Sequence, residues 1–218
     1  MLTLTIYFYI GCLYTLSYAE ICIDNGRCGP PYCNEMKRSD IEKHLSTKTP
    51  YRAIANFDDK PPVYEGCQPT RIWCIIRHGT RNPSKNVIEK AKNVLKNLKD
   101  RILLNSEVSL CLKHMDILKD WQFKVAEEEE KFLVTEGEDE LIELAERLQN
   151  RFPSLIPENY DPSIYYFKYT ATQRTFESAK SFATGLFGRH QIGQIIYPKP
   201  LHKDPVLRGL LRHNTLNI

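Results

Sequence analysis

The spacing of apolar positions changes along the chain, and the changes mark out its elements. Residues 72–76, Ile-Trp-Cys-Ile-Ile, form a short run rich in β-branched types and bounded by polar residues. Such a run suits a strand buried on both faces, as in a parallel sheet. After Pro83 the period lengthens: Val87, Ala91, Leu95, Leu98 and Ile102 recur at helical spacing while lysines fill much of the remainder. This predicts an amphipathic helix of four turns or more, packed on the sheet with its N-terminus at the strand end. A second helix is expected to start near Thr135, where Thr-Glu-Gly-Glu has the form of a capping box. It should run through Leu141, Leu144, Ala145 and Leu148 until Pro153 stops it. Residues 164–169, Ile-Tyr-Tyr-Phe-Lys-Tyr, read as an aromatic strand. A further helix then places Phe176, Ala179, Ala183 and Leu186 on one face and ends at Gly188. This rhythm predicts an α/β fold with a largely parallel sheet flanked by helices.

The N-terminal part lacks such periodicity. Residues 2–19 carry no charge and end Ser-Tyr-Ala, which reads as a signal peptide cleaved after Ala19. Dilution by Thr, Ser and Tyr leaves a membrane anchor open, although a spanning helix is normally more apolar. Cleavage would leave Cys22, Cys28, Cys33, Cys67, Cys74 and Cys111, an even number that fits disulfides in an oxidising compartment. Zinc is the competing idea for Cys22, Cys28 and Cys33, but their gaps lack the usual paired spacing. Cys74, inside the predicted strand, is a candidate buried free thiol. The expected organisation is a signal peptide over 1–19, a Cys- and Pro-rich strap over 20–68, an α/β domain over 69–208 and a divergent tail over 209–218.

A length of 218 residues suits one domain or a little more. The net charge of +3 is too small to imply a nucleic-acid partner, but it is unevenly spread. Residues 77–113 hold nine Lys and Arg against three Asp and Glu, whereas residues 120–147 hold eleven acids against three bases. The plain reading of the lysines, and of the acidic run 127–130, is a solvated helix face. Attraction of polyanionic substrates would be an added consequence.

Chemistry is expected where the first run ends, at residues 77–83, Arg-His-Gly-Thr-Arg-Asn-Pro. Open α/β sheets bind ligands at the C-terminal edge of their strands. Pro83 suits the first turn of a helix, whose free N–H groups attract anions. Guanidinium forks match phosphate oxygens, and a neutral imidazole is a competent nucleophile near its ordinary pKa of about 6.5. An isolated Arg-His pair would more often be a core histidine in an ion pair; the full seven-residue pattern argues otherwise.

Those seven residues match the Arg-His-Gly-x-Arg-x-Pro signature of the histidine acid phosphatases, branch 2 of the histidine phosphatase superfamily. The resemblance implies that His78 attacks phosphorus to form a phosphohistidine, that Arg77 and Arg81 hold the phosphate, and that no metal or other cofactor is needed. Residues 171–188, Ala-Thr-Gln-Arg-Thr-Phe-Glu-Ser-Ala-Lys-Ser-Phe-Ala-Thr-Gly-Leu-Phe-Gly, resemble the multiple inositol polyphosphate phosphatase subgroup and imply a third phosphate-binding arginine, Arg174. Ser-Thr-Lys-Thr-Pro-Tyr at 46–51 is a weaker match to the same subgroup, and residues 201–208 also resemble it. The resemblance thus implies a phosphoglycerate mutase-like α/β fold in 69–208 and hydrolysis of a small-molecule phosphomonoester. Inositol hexakisphosphate, lower inositol phosphates and 2,3-bisphosphoglycerate all suit the subgroup. The setting would be the secretory pathway, extracellular or in the endoplasmic reticulum lumen.

The family carries a second histidine far downstream, in His-Asp or His-Ala-Glu, whose acid protonates the leaving oxygen. Here His44 precedes Leu, His114 Met, His190 Gln, His202 Lys and His213 Asn, so no proton donor is identifiable. The resemblance covers about 46–208 and implies a chain that stops before that motif. Such a piece would lack general acid catalysis, which typically contributes about 10²–10⁴-fold. It would also expose a sheet edge and apolar faces. The alternative function is therefore a catalytically impaired pseudo-phosphatase that binds phosphate or inositol phosphates.

Overall fold

The structure, a computed structural model, describes residues 38–46, 49–105, 112–202 and 204–207. Its helices are α1 (Arg38–Lys43), α2 (Lys85–Leu104), α3 (Leu112–Asp120), α4 (Thr135–Arg151) and α5 (Gln173–Phe187), with single 3-10 turns at Tyr51–Ala53 and Ile192–Gln194. The chain separates into two units. One holds Lys90–Lys124 together with Met1–Asp40, and the other holds Ile41–Glu89 and Val125–Ile218, so α2 begins in the second and continues into the first.

In the first unit, Lys99 of α2 donates from Nζ to the carbonyls of Lys119, at 2.5 Å, and Trp121, at 2.8 Å. Apolar burial there is slight, and Val94 is 61% exposed. The predicted stripe of α2 is covered only in part: Ala91, Leu95 and Ile102 are half-buried, Val87 and Leu98 are exposed, and Ile88, beside the stripe, is the residue fully buried in this helix. Periodicity identifies the helix and its general face, while the neighbouring segments decide which positions of that face are covered.

The second unit is organised by α4 and α5. Ala145, Ile156, Ala183, Leu186, Phe187 and Ile195 form its core. Burying each large apolar side chain contributes about 1.5–3 kcal/mol. Gly185 makes the helix pair possible, since a Cβ there would run into the Ile142 carbonyl and the Ala145 methyl. Helix α4 starts one residue earlier than a Thr135 cap would require: Val134 is the extended N-cap and no side chain caps the turn. Glu136 and Glu138 in the first turn suit the positive end of the helix dipole. The helix stops as expected, with the Phe152 N–H turning back to the Leu148 and Gln149 carbonyls before Pro153. Gly188, at φ 71°, ends α5.

The expected parallel sheet is not formed among the described residues, which contain only an isolated antiparallel bridge between Arg81 and Leu133. Residues 164–169 nevertheless keep the two-residue alternation of a strand. Tyr165, Phe167 and Tyr169 turn to the helices, with ring centroids 4.7 Å (Tyr165) and 6.2 Å (Phe167) from Phe187 and 5.0 Å (Tyr169) from Phe176. Ile164 and Tyr166 point outward, Tyr166 75% exposed. Residues 72–76 were expected to be buried on both faces, but Trp73 is 74% and Ile75 62% exposed. Strand-like side chains are a local property, whereas a ladder needs a neighbour's N–H and C=O groups.

Cys67 and Cys74 are free thiols, both in exposed residues, so Cys74 is not the buried thiol the pattern suggested. Partial desolvation still pushes its pKa up. Cys22, Cys28, Cys33 and Cys111, like the expected signal segment and the 209–218 tail, lie outside the described residues. No helix among the described residues is long and apolar enough to cross a membrane.

Candidate active site

The loop after residue 77 is held from three sides. On one, the Gly79 N–H donates to the buried Ser178 Oγ of α5 at 3.2 Å. On another, the Thr80 N–H and hydroxyl both donate to the Glu140 carboxylate of α4, at 2.7 and 2.8 Å. On the third, the loop pairs with 131–134: Asn82 N–H to Phe132 O at 2.9 Å, Val134 N–H to Thr80 O at 3.1 Å and Lys131 N–H to Pro83 O at 3.0 Å. The Leu133 N–H donates to Gln173 Oε1 at 3.0 Å, tying that segment to the first turn of α5. Gly79 lies so close to Gly137 that a Cβ on either would overlap backbone of the other loop or helix, which explains the side-chain-free residue at both positions.

Part of the strap joins the same assembly. The Tyr51 N–H donates to Glu140 at 3.2 Å, Arg52 bridges Glu42, at 2.6 Å, and Glu136, and Arg147 of α4 lies over the Tyr51 and Phe57 rings.

His78 sits half-buried, with Nδ1 2.8 Å from the Gly79 carbonyl. A carbonyl only accepts, so Nδ1 carries the proton of the neutral ring and Nε2 keeps its lone pair. Desolvation lowers the His78 pKa below its ordinary value. The Gly79 hydrogen bond opposes this, while the charges of Arg174, Arg77 and Arg81 push in the lowering direction. The three sequence-selected arginines therefore all act on the histidine. Arg77, His78 and Arg174 line one groove of about 1050 Å³. Arg81 stands apart from that lining and donates through a guanidinium nitrogen to the Asn82 carbonyl at 2.8 Å.

The start of α2 differs from expectation. Its Lys85 N–H donates to the Glu130 carboxylate at 2.8 Å, and the Lys85 ammonium lies 3.3 Å from Glu127. The acidic run 127–130 is thus not a plain solvated face. Glu130 takes a place at the helix N-terminus that an anion was expected to occupy, and this hydrogen bond pulls its carboxyl below the ordinary pKa. Sequence reading also missed Ser178 and Glu140. Ser178 had a faint signal as a polar residue two positions from Phe176 and one from Ala179, beside the apolar stripe of α5, whereas nothing local distinguished Glu140 from its acidic neighbours.

The loop thus presents His78, with Arg77 and Arg81 on either side of it in sequence, braced between α4 and α5. Residues 70–215 match the family model of the histidine phosphatase superfamily, branch 2, and the chain belongs to that family. Over 169 residues the chain is 36% identical to multiple inositol polyphosphate phosphatase 1 of Drosophila melanogaster, covering 72% of this chain and 36% of the relative. The human protein of the same name is 28% identical over 169 residues, 71% of this chain and 34% of its own. A thiamine-repressible acid phosphatase of Schizosaccharomyces pombe is 28% identical over 156 residues, 68% and 32% respectively. The chain thus spans about a third of the length of these curated relatives. No solved structure matches it. Membership implies an α/β fold, of which the described residues form the helices and only one strand bridge.

Proposed function

We propose that the chain carries the phosphate-binding and nucleophilic part of a phosphomonoester hydrolase acting on inositol polyphosphates. The observation that carries this reading is His78, whose Nδ1 is held by the Gly79 carbonyl while three arginine charges favour the neutral ring. In the proposed step, the Nε2 lone pair attacks phosphorus and the bond from phosphorus to the ester oxygen breaks. Arg77, Arg81 and Arg174 offset the phosphoryl charge. The departing alkoxide takes a proton from solvent or from a donor outside this chain, since no histidine here carries the family's distal pattern. Water then attacks the phosphohistidine, releasing phosphate and restoring the imidazole. The substrate is a small polyanion, no metal enters the scheme, and the family resemblance supports a secretory-pathway setting.

Phosphate release from inositol hexakisphosphate by the purified chain tests the reading; it should disappear in His78→Ala. Equal rates in both proteins would sink it. A second reading, prompted by the lack of the distal histidine pattern within residues 1–218, is binding of the phosphorylated ligand without turnover by this stretch of chain. Calorimetric binding of inositol hexakisphosphate, lost in Arg77→Ala/Arg174→Ala and unaccompanied by phosphate release, would establish that alternative.

A further inference from the structure

The peptide unit between Gly79 and Thr80 has a partner at each end. Its carbonyl lies 2.8 Å from His78 Nδ1, and its N–H donates to Glu140 Oε2 at 2.7 Å. The peptide is trans, so these two groups point in opposite directions, and the imidazole and the carboxylate stand on opposite sides of one rigid plane. Glu140 holds that plane by more than one bond. Its Oε1 accepts the Thr80 hydroxyl at 2.8 Å, so Thr80 is gripped by both carboxylate oxygens, and the same Oε1 accepts the Tyr51 N–H at 3.2 Å. The strap reinforces the arrangement around this point. Arg52 pairs with Glu136, one turn before Glu140, and with Glu42 at 2.6 Å, while Arg147 of α4 lies over the Tyr51 and Phe57 rings. The Thr49-Pro50-Tyr51 end of the strap, which the proposed phosphate chemistry leaves without a task, thus bears on the carboxylate behind the histidine loop.

We infer that Glu140 is a positioning residue for His78, acting through the Gly79–Thr80 peptide. The tautomer of a histidine is set by the hydrogen bond that one of its nitrogens makes. Here that bond goes to a carbonyl whose direction is fixed by the carboxylate on the far side of the peptide plane. A hydrogen bond to an ionised acceptor is roughly twice as strong as a neutral one, and it polarises the group that donates it. The Gly79 carbonyl is therefore both aimed and made a better acceptor by Glu140. This matters at two stages of the proposed hydrolysis, on which the functional part of the inference rests. Before attack, the ring is kept in the tautomer whose Nε2 carries the lone pair. Once Nε2 has bonded phosphorus, the ring bears positive charge, and its Nδ1–H shares that charge with a carbonyl backed by an anion. The arginines favour the neutral ring that attacks, whereas Glu140 favours the charged ring that results.

The test reads the ring directly and the turnover separately. In the full chain with nitrogen-15 histidine, the two ring nitrogens of His78 are observed by NMR at a pH above its titration. Wild type should show two well-separated shifts, those of an Nδ1–H tautomer. In Glu140→Ala the shifts should converge as the tautomers mix. Phosphate release from saturating inositol hexakisphosphate should fall about tenfold while KM stays within about twofold, because the arginines remain in place. Glu140→Gln leaves the Thr80 N–H an uncharged acceptor and should give a smaller change of the same sign; it carries the test if Glu140→Ala fails to fold. Thr80→Ala removes the hydroxyl grip but keeps the peptide N–H, and its ring shifts should stay close to wild type. Ring shifts unchanged in the Glu140 variants overturn the inference, and so does a Thr80→Ala effect as large as that of Glu140→Ala. Converging shifts in a chain whose wild type releases no phosphate uphold the positioning and overturn the hydrolysis alone.

Discussion

Helix α5 buries Ser178, Ser181, Ala183, Leu186 and Phe187, whereas α2, 20 residues long against 15, buries Ile88. Both are amphipathic by sequence and both form. What separates them is the opposing surface: α5 meets α4 through Gly185 and gathers Tyr160, Tyr165 and Phe167 around Phe187, while the Lys90–Leu104 part of α2 keeps apolar side chains such as Val94 and Leu98 in solvent. Amphipathicity therefore licenses a helix, but the free energy it yields depends on the face supplied from elsewhere.

The contrast can be broken first at its strongest point. Phe187→Ala should cost about 3–5 kcal/mol in denaturant unfolding; a loss no larger than that of an α2 variant would refute the contrast. Gly79→Ala comes next, at about 1–3 kcal/mol, because the new methyl meets backbone that cannot rotate away. A crystal structure of this variant should show the loop displaced from Gly137. Ser178→Ala leaves the buried Gly79 N–H without its acceptor, at about 1–2 kcal/mol, and should also broaden the His78 ring resonances. Arg174→Ala tests electrostatics instead of packing. Removing that positive charge should move the His78 NMR titration midpoint up toward its ordinary value. The sign for stability follows. With the folded-state value depressed, the unfolded chain binds the extra proton, so stability is full above about 6.5 and falls as acid carries the pH toward the folded midpoint. That acid loss should shrink in Arg174→Ala. The smallest effect belongs to Val94→Ala, within about 0.5 kcal/mol; a large destabilisation there would mean that α2 has a packed face after all.

Elements with local punctuation were legible in the sequence. Pro153 and Gly188 ended their helices where expected, and the apolar spacing of α5 gave its buried Ala183 and Leu186. The sequence motifs also picked out residues that the fold brings together, since Arg77, His78 and Arg174 lie on one groove. Less was legible wherever the answer lay in another segment. The run 72–76 looks like a core strand, but its neighbours are not given by its own residues. Glu130 reads as one acid among four, and only the fold reveals that it sits on the Lys85 N–H. Ser178 and Glu140 are 99 and 60 residues from their partners Gly79 and Thr80, a separation that no periodicity reports.

The Gly79 and Gly137 backbones, in contact with no side chain between them, have a mechanical meaning. The peptide whose carbonyl fixes the His78 ring has no compressible cushion against the first turn of α4. Any tilt of that turn bears directly on the peptide that holds the imidazole, so the helix acts on the His78 ring as a lever with no soft joint.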